Sequence, residues 1–361
     1  MKPADLLQRL VALPSPSGEE RAAADAVQAW LTEAGVPVRR LGDTLLARRG
    51  RGGPRLMFLS HLDTVPVGEG WTRDPFASGW QEGRLYGRGA NDAKGPATAM
   101  LCAFLAAPEP AAGEGELLLA LTAREETDNA GMAVLLEAEG PPDAAVCGEP
   151  TGLRVVRAQG GLAVLRAVWT GRSCHAAHAA RVEHHNALLT ASRELAGLPR
   201  CKVFPDHHPL LGHSTLVPTV LRAGERRNVV PAEAEAWFDL RRVPGRSTAS
   251  AVSWLQRRLP RARVEIVSER LGPVETPEDH PLVQAALEAT GEARAVGSTT
   301  LSDLALLAGV PAVKCGPGRT ERSHVPDEYL ELGELQAGVA VYRRLAASVL
   351  PRLRSLPSVQ P

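Results

Sequence analysis

The sequence predicts an α/β protein interrupted by a second, α+β domain. Three observations carry that prediction. Apolar strand-like runs alternate with helical periodicity over residues 1–159, which implies a largely parallel sheet. Polar clusters stand just past the C-terminal ends of those runs, where open α/β sheets place their sites. Between residues 160 and 268 the order changes to βαββαβ, and α/β patterning returns afterwards. The expected domains are therefore 1–159 with 269–361, and an inserted 160–268. Two domains also suit 361 residues at ~150 residues each.

Each element follows from its pattern. Residues 4–35 read as a pair of amphipathic helices, with Leu6, Leu7 and Leu10 on one and Ala24, Val27 and Leu31 on the other. Ser15 to Glu20 breaks them, and Ser17 with Glu20 three residues on fits a helix N-cap box. Pro54 to Ser60 is a buried strand ending at His61-Leu62-Asp63-Thr64. A helix spans Gly95 to Ala107. Strands follow at Glu116 to Thr122, before Arg124-Glu125-Glu126-Thr127, and at Ala144 to Cys147, before Gly148-Glu149-Pro150-Thr151. The insert reads as strand 162–170, helix 186–195, strands 216–223 and 232–242, helix 247–259 and strand 263–268. Patterned segments then fall at 282–290, 304–307 and 311–314. The last helix runs 332–349, and 351–361 reads as a loose tail.

Composition excludes several functions. A 44% hydrophobic and 23% charged chain is that of a soluble globular protein. With 41 basic and 41 acidic residues there is no excess charge to draw it to nucleic acid or an anionic membrane. No apolar run approaches the ~20 residues of a membrane span, and Met1 to Asp5 has no signal core. The five cysteines are isolated, so neither a zinc ribbon nor a thioredoxin-type site is expected. Free thiols fit a reducing compartment, and the expected location is the cytoplasm. Arg outnumbers Lys 37 to four, and Asn occurs four times. G+C-rich coding explains the skew, and it makes any surviving Lys or Asn conspicuous.

The chemistry lies at the strand ends. His61, Asp92, Glu125 with Glu126, Glu149 and the late His324 supply two imidazoles and several carboxylates. That donor set suits one or two Zn²⁺ or similar ions, and a carboxylate can bridge ions ~3.5–4 Å apart. His61 and Asp63, at i and i+2 of an extended segment, point to the same side, so Asp63 can orient the His61 ring. Any one of these residues alone is an ordinary loop residue. Their joint occurrence points to a metal centre.

Five segments together resemble the M20-type dinuclear metallopeptidases and deacylases. This group includes acetylornithine deacetylase, succinyl-diaminopimelate desuccinylase, aminoacylase and carboxypeptidase G-like enzymes. The segments are Ser60 to Pro66, Gly87 to Gly95, Glu125-Glu126, Gly148 to Thr151 and Ser323 to Glu328, in the family's order over nearly the whole chain. Asn91 and Lys94 fall inside the second. The resemblance implies a phosphorylase/hydrolase-like zinc-peptidase catalytic domain with a ferredoxin-like inserted dimerisation or lid domain. It implies two Zn²⁺ or Co²⁺ per subunit. His61 and Glu149 would hold one ion, Glu126 and His324 the other, with Asp92 bridging and a cis Asp92–Ala93 peptide. Glu125 would be the general base and Asp63 a supporting catalytic residue. His175, in Gly171-Arg172-Ser173-Cys174-His175, would stabilise the oxyanion across a homodimer built on the insert. Asn228 and Arg241 would hold the substrate's carboxylate, and Arg suits that task through its planar fork. Gly316 would contact substrate through its backbone. Departures occur at Ala179, where the family often has Pro, at His185, where Gly is usual, and at Thr300-Leu301-Ser302-Asp303, where relatives read Gly-Thr-Ser-Asp at the substrate end.

The implied activity is metal-dependent removal of an N-acyl group from an amino acid. N-acetylornithine comes first as substrate. N-acetyl-lysine, or lysine or ornithine linked to an acidic carrier protein, comes next. Succinyl-diaminopimelate and dipeptides follow. A non-catalytic relative would lack a ligand or the base, and here every one of them is present.

Overall fold

The computed structural model describes residues 2–77 and 79–355. The chain forms two compact units. One comprises Met1–Ala158, Glu275–Gly297 and Ser302–Pro361, and the other Gln159–Val274 with Ser298–Leu301.

The first unit is built on a mixed sheet. Seven of its strands lie in the order Val38–Leu41, Thr44–Gly50, Glu116–Thr122, Arg55–His61, Ala144–Cys147, Ala312–Lys314, Val156–Gln159. The middle four pair in parallel. The strands on either side pair antiparallel, so the largely parallel expectation holds for the centre alone. The hairpin Val38–Leu41/Thr44–Gly50 escapes sequence reading because Arg39, Arg40, Arg48 and Arg49 interrupt its apolar pattern. Arg39, Arg40 and Arg48 pair with acids, Arg48 with Glu116 and Glu139, and Arg49 donates to the Leu105 and Ala107 carbonyls.

Central strands read as continuous apolar runs because both faces are covered. Glu116–Thr122 is buried at every position. Helix Lys94–Ala106 is buried on nearly all sides and packs on helices Pro3–Val11 and Leu332–Arg354 and on the sheet. The last helix passes through Pro351 instead of stopping at 349. Leu350 and Leu353 are buried there, and Arg352 pairs with Glu288, so packing overrides the local breaker. Residues 356–361 of the expected tail lie outside the described residues.

In the second unit, helices Ala187–Ala196 and Thr248–Arg258 accompany an antiparallel sheet. Its strands lie in the order Lys202–Val203, Thr215–Ala223, Glu233–Arg242, Gly161–Thr170, Ala262–Leu271. Without the two-residue Lys202–Val203 this is βαββαβ. Asn186 caps the first helix through its side chain, which accepts from the Leu189 N–H. The unit has its own core, centred on Leu165, Trp169, Phe238 and Leu255. It runs past residue 268 because its last strand does.

Thr276 acts as a backbone surrogate beside strand Ala312–Lys314. Its buried hydroxyl donates to the Ala312 carbonyl at 2.6 Å and accepts from the Ala312 N–H at 2.7 Å. Thr276→Val keeps the shape and leaves both backbone groups unsatisfied. It should destabilise the protein by about 2 kcal/mol, measured by denaturant titration. An unchanged midpoint would show that strand Ala312–Lys314 does not need the hydroxyl.

Candidate metal centre

Register gathers the site on one rim of the sheet. His61 pairs with Thr122, and Leu59 with Cys147. Glu125 and Glu126 follow Thr122 after Ala123 and Arg124. Glu149 lies two residues past Cys147, as His61 lies two past Leu59. The Gly148 N–H donates to Leu59 O at 2.7 Å, and Ser60 Oγ donates to Gly148 O at 2.9 Å, so the alignment continues past the formal strand end.

His61 is buried and held at both ring nitrogens. Nδ1 lies 3.0 Å from the Asp63 carbonyl and 3.4 Å from its carboxylate. Nε2 lies 3.4 Å from Asp92 Oδ1 and 3.9 Å from Glu149 Oε1. Asp63 thus orients the ring, as the i, i+2 spacing predicts. The other oxygen of Asp92, Oδ2, lies 3.5 Å from His324 Nε2, and that nitrogen lies 2.9 Å from Glu126 Oε1. One carboxylate therefore faces two imidazoles. The Asp92–Ala93 peptide is cis.

Among the described residues, three groups offer donor atoms all within 4.8 Å of one another: His61, Asp92 and Glu149; Asp92, Glu126 and His324; His61, Glu125 and Glu126. The electrostatics fit a cation. Burial, with the charge of Asp92, pushes Glu149 up to about 8. Burial also raises Glu125 well above the usual carboxylate range, reinforced by the charges of Glu149, Asp303 and Glu126. For His61, burial pulls downward, but hydrogen bonds to Asp63 and Asp92 and the nearby Glu125 override it and raise its pKa well above the ordinary imidazole value. Carboxylates crowded in this way need protons or metal ions between them. Two imidazoles and several carboxylates form a donor set that suits Zn²⁺ or a similar divalent ion.

The turn bearing Glu125 and Glu126 is fastened by other acids. Asp63 accepts the Glu125 and Glu126 N–H groups, each at 3.0 Å, and the Ser17 hydroxyl at 2.7 Å. Burial opposes its charge, yet the His61 and Ser17 hydrogen bonds hold it down at about 2. Glu20 accepts from the N–H groups of Gly18 and Arg124. Ser17 and Glu20 therefore do not form the N-cap box their spacing suggests, because the Ser17 hydroxyl turns to the Asp63 carboxylate and Glu20 to the Arg124 backbone instead. Glu328 accepts the Asn91 and Asp92 N–H groups, each at 2.9 Å, and pairs with buried Arg88 at 2.7 Å. Asn91 in turn bonds the 319–323 segment through Arg319 and Ser323. Lys94 is buried, and its amine donates to Leu10 O and Leu13 O.

Gly316 adjoins the rim that bears Glu149. It is buried, its carbonyl accepts from Leu153 N at 2.9 Å, and its N–H donates to Thr151 Oγ1 at 3.1 Å. A Cβ there would stand 2.5 Å from Glu149 O and 2.8 Å from Tyr342 Oη. Its backbone packs behind Glu149. Asp303 departs from expectation. Instead of lining a substrate end, it is buried and accepts from Thr122 and Asn129.

Three expected residues belong to the second unit. His175 Nδ1 accepts from Ala177 N at 3.1 Å, so a neutral ring carries its proton on Nε2 and presents a donor. The Asn228 carbonyl accepts the Ala176 N–H at 2.9 Å, and His175 bridges to Val229, which places the two residues on one paired stretch of backbone. Arg241 is half-exposed, and Asp239 engages it at 2.9 and 3.2 Å.

Comparison with known proteins adds a family. Residues 57–348 match peptidase family M20/M25/M40. An acetylornithine deacetylase from Edwardsiella ictaluri (strain 93-146) is 33% identical over 360 residues, covering 90% of this chain and 92% of the relative. One from Klebsiella pneumoniae (strain 342) is 29% identical, covering 91% and 92%. The fold matches an M20 family metallo-carboxypeptidase from Sulfolobus solfataricus with a TM-score of 0.74 at 17% identity, covering 97% of this chain and 99% of that one. It also matches a dinuclear metal-binding peptidase of the M20 family from Bacillus subtilis with a TM-score of 0.73 at 19% identity, covering 96% and 97%. The chain belongs to peptidase family M20/M25/M40 and is a hydrolase of amide bonds.

Proposed function

We propose that the protein removes an N-acyl group, in the first place acetyl, from an amino acid, with N-acetylornithine as the leading substrate. The observation that carries this reading is Asp92, whose two oxygens each face a different imidazole. His61, Asp92 and Glu149 would hold one divalent ion, and Asp92, Glu126 and His324 a second. When bound, such ions polarise an amide carbonyl and lower the pKa of water. Glu125 takes the proton from the attacking water as the new C–O bond forms. It returns that proton to the nitrogen as the C–N bond breaks, so the products are a carboxylic acid and an amine. Asp63 keeps the His61 ring and the Glu125 turn in place while this happens.

Support for ornithine comes from relatives named acetylornithine deacetylase at 29–33% identity. Acyl-lysine, free or on an acidic carrier protein, stands second. His175 would serve as oxyanion donor through Nε2–H. Carboxylate binding by Asn228 and Arg241 rests on the family pattern, and Asp239 competes for Arg241. A homodimer through the second unit is supported by Ile266 and Val267, exposed on its long edge strand.

The substrate test is a panel with zinc- and cobalt-loaded protein: N-acetyl-ornithine, N-acetyl-lysine, N-acetyl-citrulline, N-acetyl-methionine and N-succinyl-diaminopimelate. Acetyl-ornithine should be cleaved fastest. No cleavage of any by protein carrying two ions would overturn the small-substrate reading in favour of a carrier-linked one.

Glu125→Ala and Glu125→Gln should bind two ions and lose at least ~100-fold in kcat. Retention of more than a few per cent of activity would remove Glu125 as the base, and loss of an ion would make it a ligand.

Metal loading should release protons. Glu149, pushed up to about 8, holds a proton at neutral pH until a cation displaces it, and the upward shifts of Glu125 and His61 act in the same direction. Calorimetric titration in two buffers of different ionisation enthalpy measures the number released. It should be larger at pH 6.5 than at pH 9, where Glu149 is already ionised. Equal release at both would contradict the assignment.

A further inference from the structure

Asp303 is a buried carboxylate with no part in the proposed proton transfer. It is 2% exposed and opens a short helical turn, Asp303–Leu306, whose Leu304 and Ala305 are also buried. Two neutral groups hold it. Thr122 Oγ1 donates to Oδ2 at 2.7 Å and Asn129 Nδ2 to Oδ1 at 2.9 Å. Burying a charge on neutral partners is costly. Here burial lifts the pKa to about 6 against those two hydrogen bonds, which leaves the group mostly ionised at neutral pH.

The geometry shows what the charge does. A carboxylate accepts only, so Thr122 must turn its single proton toward Asp303, and Asn129 must present its NH₂. Asn129 then has a second N–H in a fixed direction, and it meets the Glu125 carbonyl at 3.2 Å. Asn129 also has left-handed backbone, φ 55°, where the turn closes into helix Ala130–Glu139. On the other branch, Thr122 Oγ1 lies 3.2 Å from Ser60 O, the residue before His61. One carboxylate therefore ties the end of strand Glu116–Thr122, where Thr122 pairs with His61, to the Asn129 side chain that holds the Glu125 carbonyl.

We propose that Asp303 is a positioning residue that sets the Glu125–Glu126 turn against His61 through Asn129 and Thr122. It acts through those two side chains and does not touch the reacting atoms. This rests on the activity proposed above. A structural role alone would set stability. A positioning role sets the step in which Glu125 moves a proton.

The experiment compares Asp303→Ala, Asp303→Asn and Thr122→Val in the full-length, metal-loaded protein. Asp303→Asn can still accept from Asn129 and can donate to Thr122, so it should fold and keep most of kcat. Asp303→Ala should lose ~10–100-fold in kcat, the range typical of supporting residues, with KM unchanged and two ions retained. Adding Thr122→Val to Asp303→Ala should cost little more, because both act on one element. Hydrogen exchange supplies a readout without substrate. The Glu125 and Glu126 amides should exchange faster in Asp303→Ala, while those of strand Arg55–His61 stay protected. Wild-type kcat in Asp303→Ala with unchanged exchange at Glu125 and Glu126 would overturn the proposal. So would faster exchange spread over the whole unit with no rescue by Asp303→Asn. If the wild type cleaves no N-acyl amino acid, the activity reading fails by itself, and the exchange comparison still decides the role of Asp303.

Discussion

The site depends on the carboxylate of Asp63. It is wholly buried, yet His61, Ser17 and the amides of Glu125 and Glu126 all converge on it. A carboxylate that accepts several hydrogen bonds stays ionised, so its donors have no alternative orientation. Two successive N–H groups turned toward one anion define the backbone of the turn. Removing that anion would leave buried donors unsatisfied and let the turn relax.

The acids at this rim divide into two sets. One faces the space a cation would occupy: Asp92, Glu125, Glu126 and Glu149. The other faces backward into the scaffold: Glu20, Asp63, Asp303 and Glu328. Members of the second set receive backbone N–H groups or side chains that themselves support the turn. They explain how loops without regular hydrogen bonding can keep a fixed shape. The chain's overall neutrality conceals this local concentration of negative charge.

Much of this was legible in the sequence, and the reasons differ from residue to residue. Buried parallel strands show as unbroken apolar runs, so Glu116 to Thr122 and Ala144 to Cys147 are recovered to the residue. Polar clusters after them mark the rim. The scarcity of Lys and Asn was also informative. Lys94 and Lys314 are among the largest fully buried side chains, and Asn91 and Asn129 are buried at the site. A compact ammonium or a short amide fits where a guanidinium fork would leave donors unmet. Long-range partners were illegible. Ser17 and Glu20 carry the local signature of a helix cap, and nothing nearby in sequence reveals that Asp63 and Arg124 claim them. Asp303 and Glu328 work on segments far away in the chain, and the antiparallel hairpin hides behind its arginines. Gly316 was ambiguous, because small residues serve close packing and close approach alike.

The Glu328 contact to Asp92 has a consequence for how the protein is made. Its two partners stand 236 residues apart. The Asp303 contacts to Thr122 and Asn129 span 181 and 174. Closures of this length come late, because chain entropy opposes them until much of the core has formed. During synthesis, His61, Asp92, Glu126 and Glu149 leave the ribosome well before His324 and Glu328 do. The growing chain can present acids and an imidazole, but it has nothing to fasten the Asp92 backbone or complete the pair of imidazoles. Capture of cations in the arrangement proposed above would therefore wait until His324 and Glu328 have joined the earlier residues.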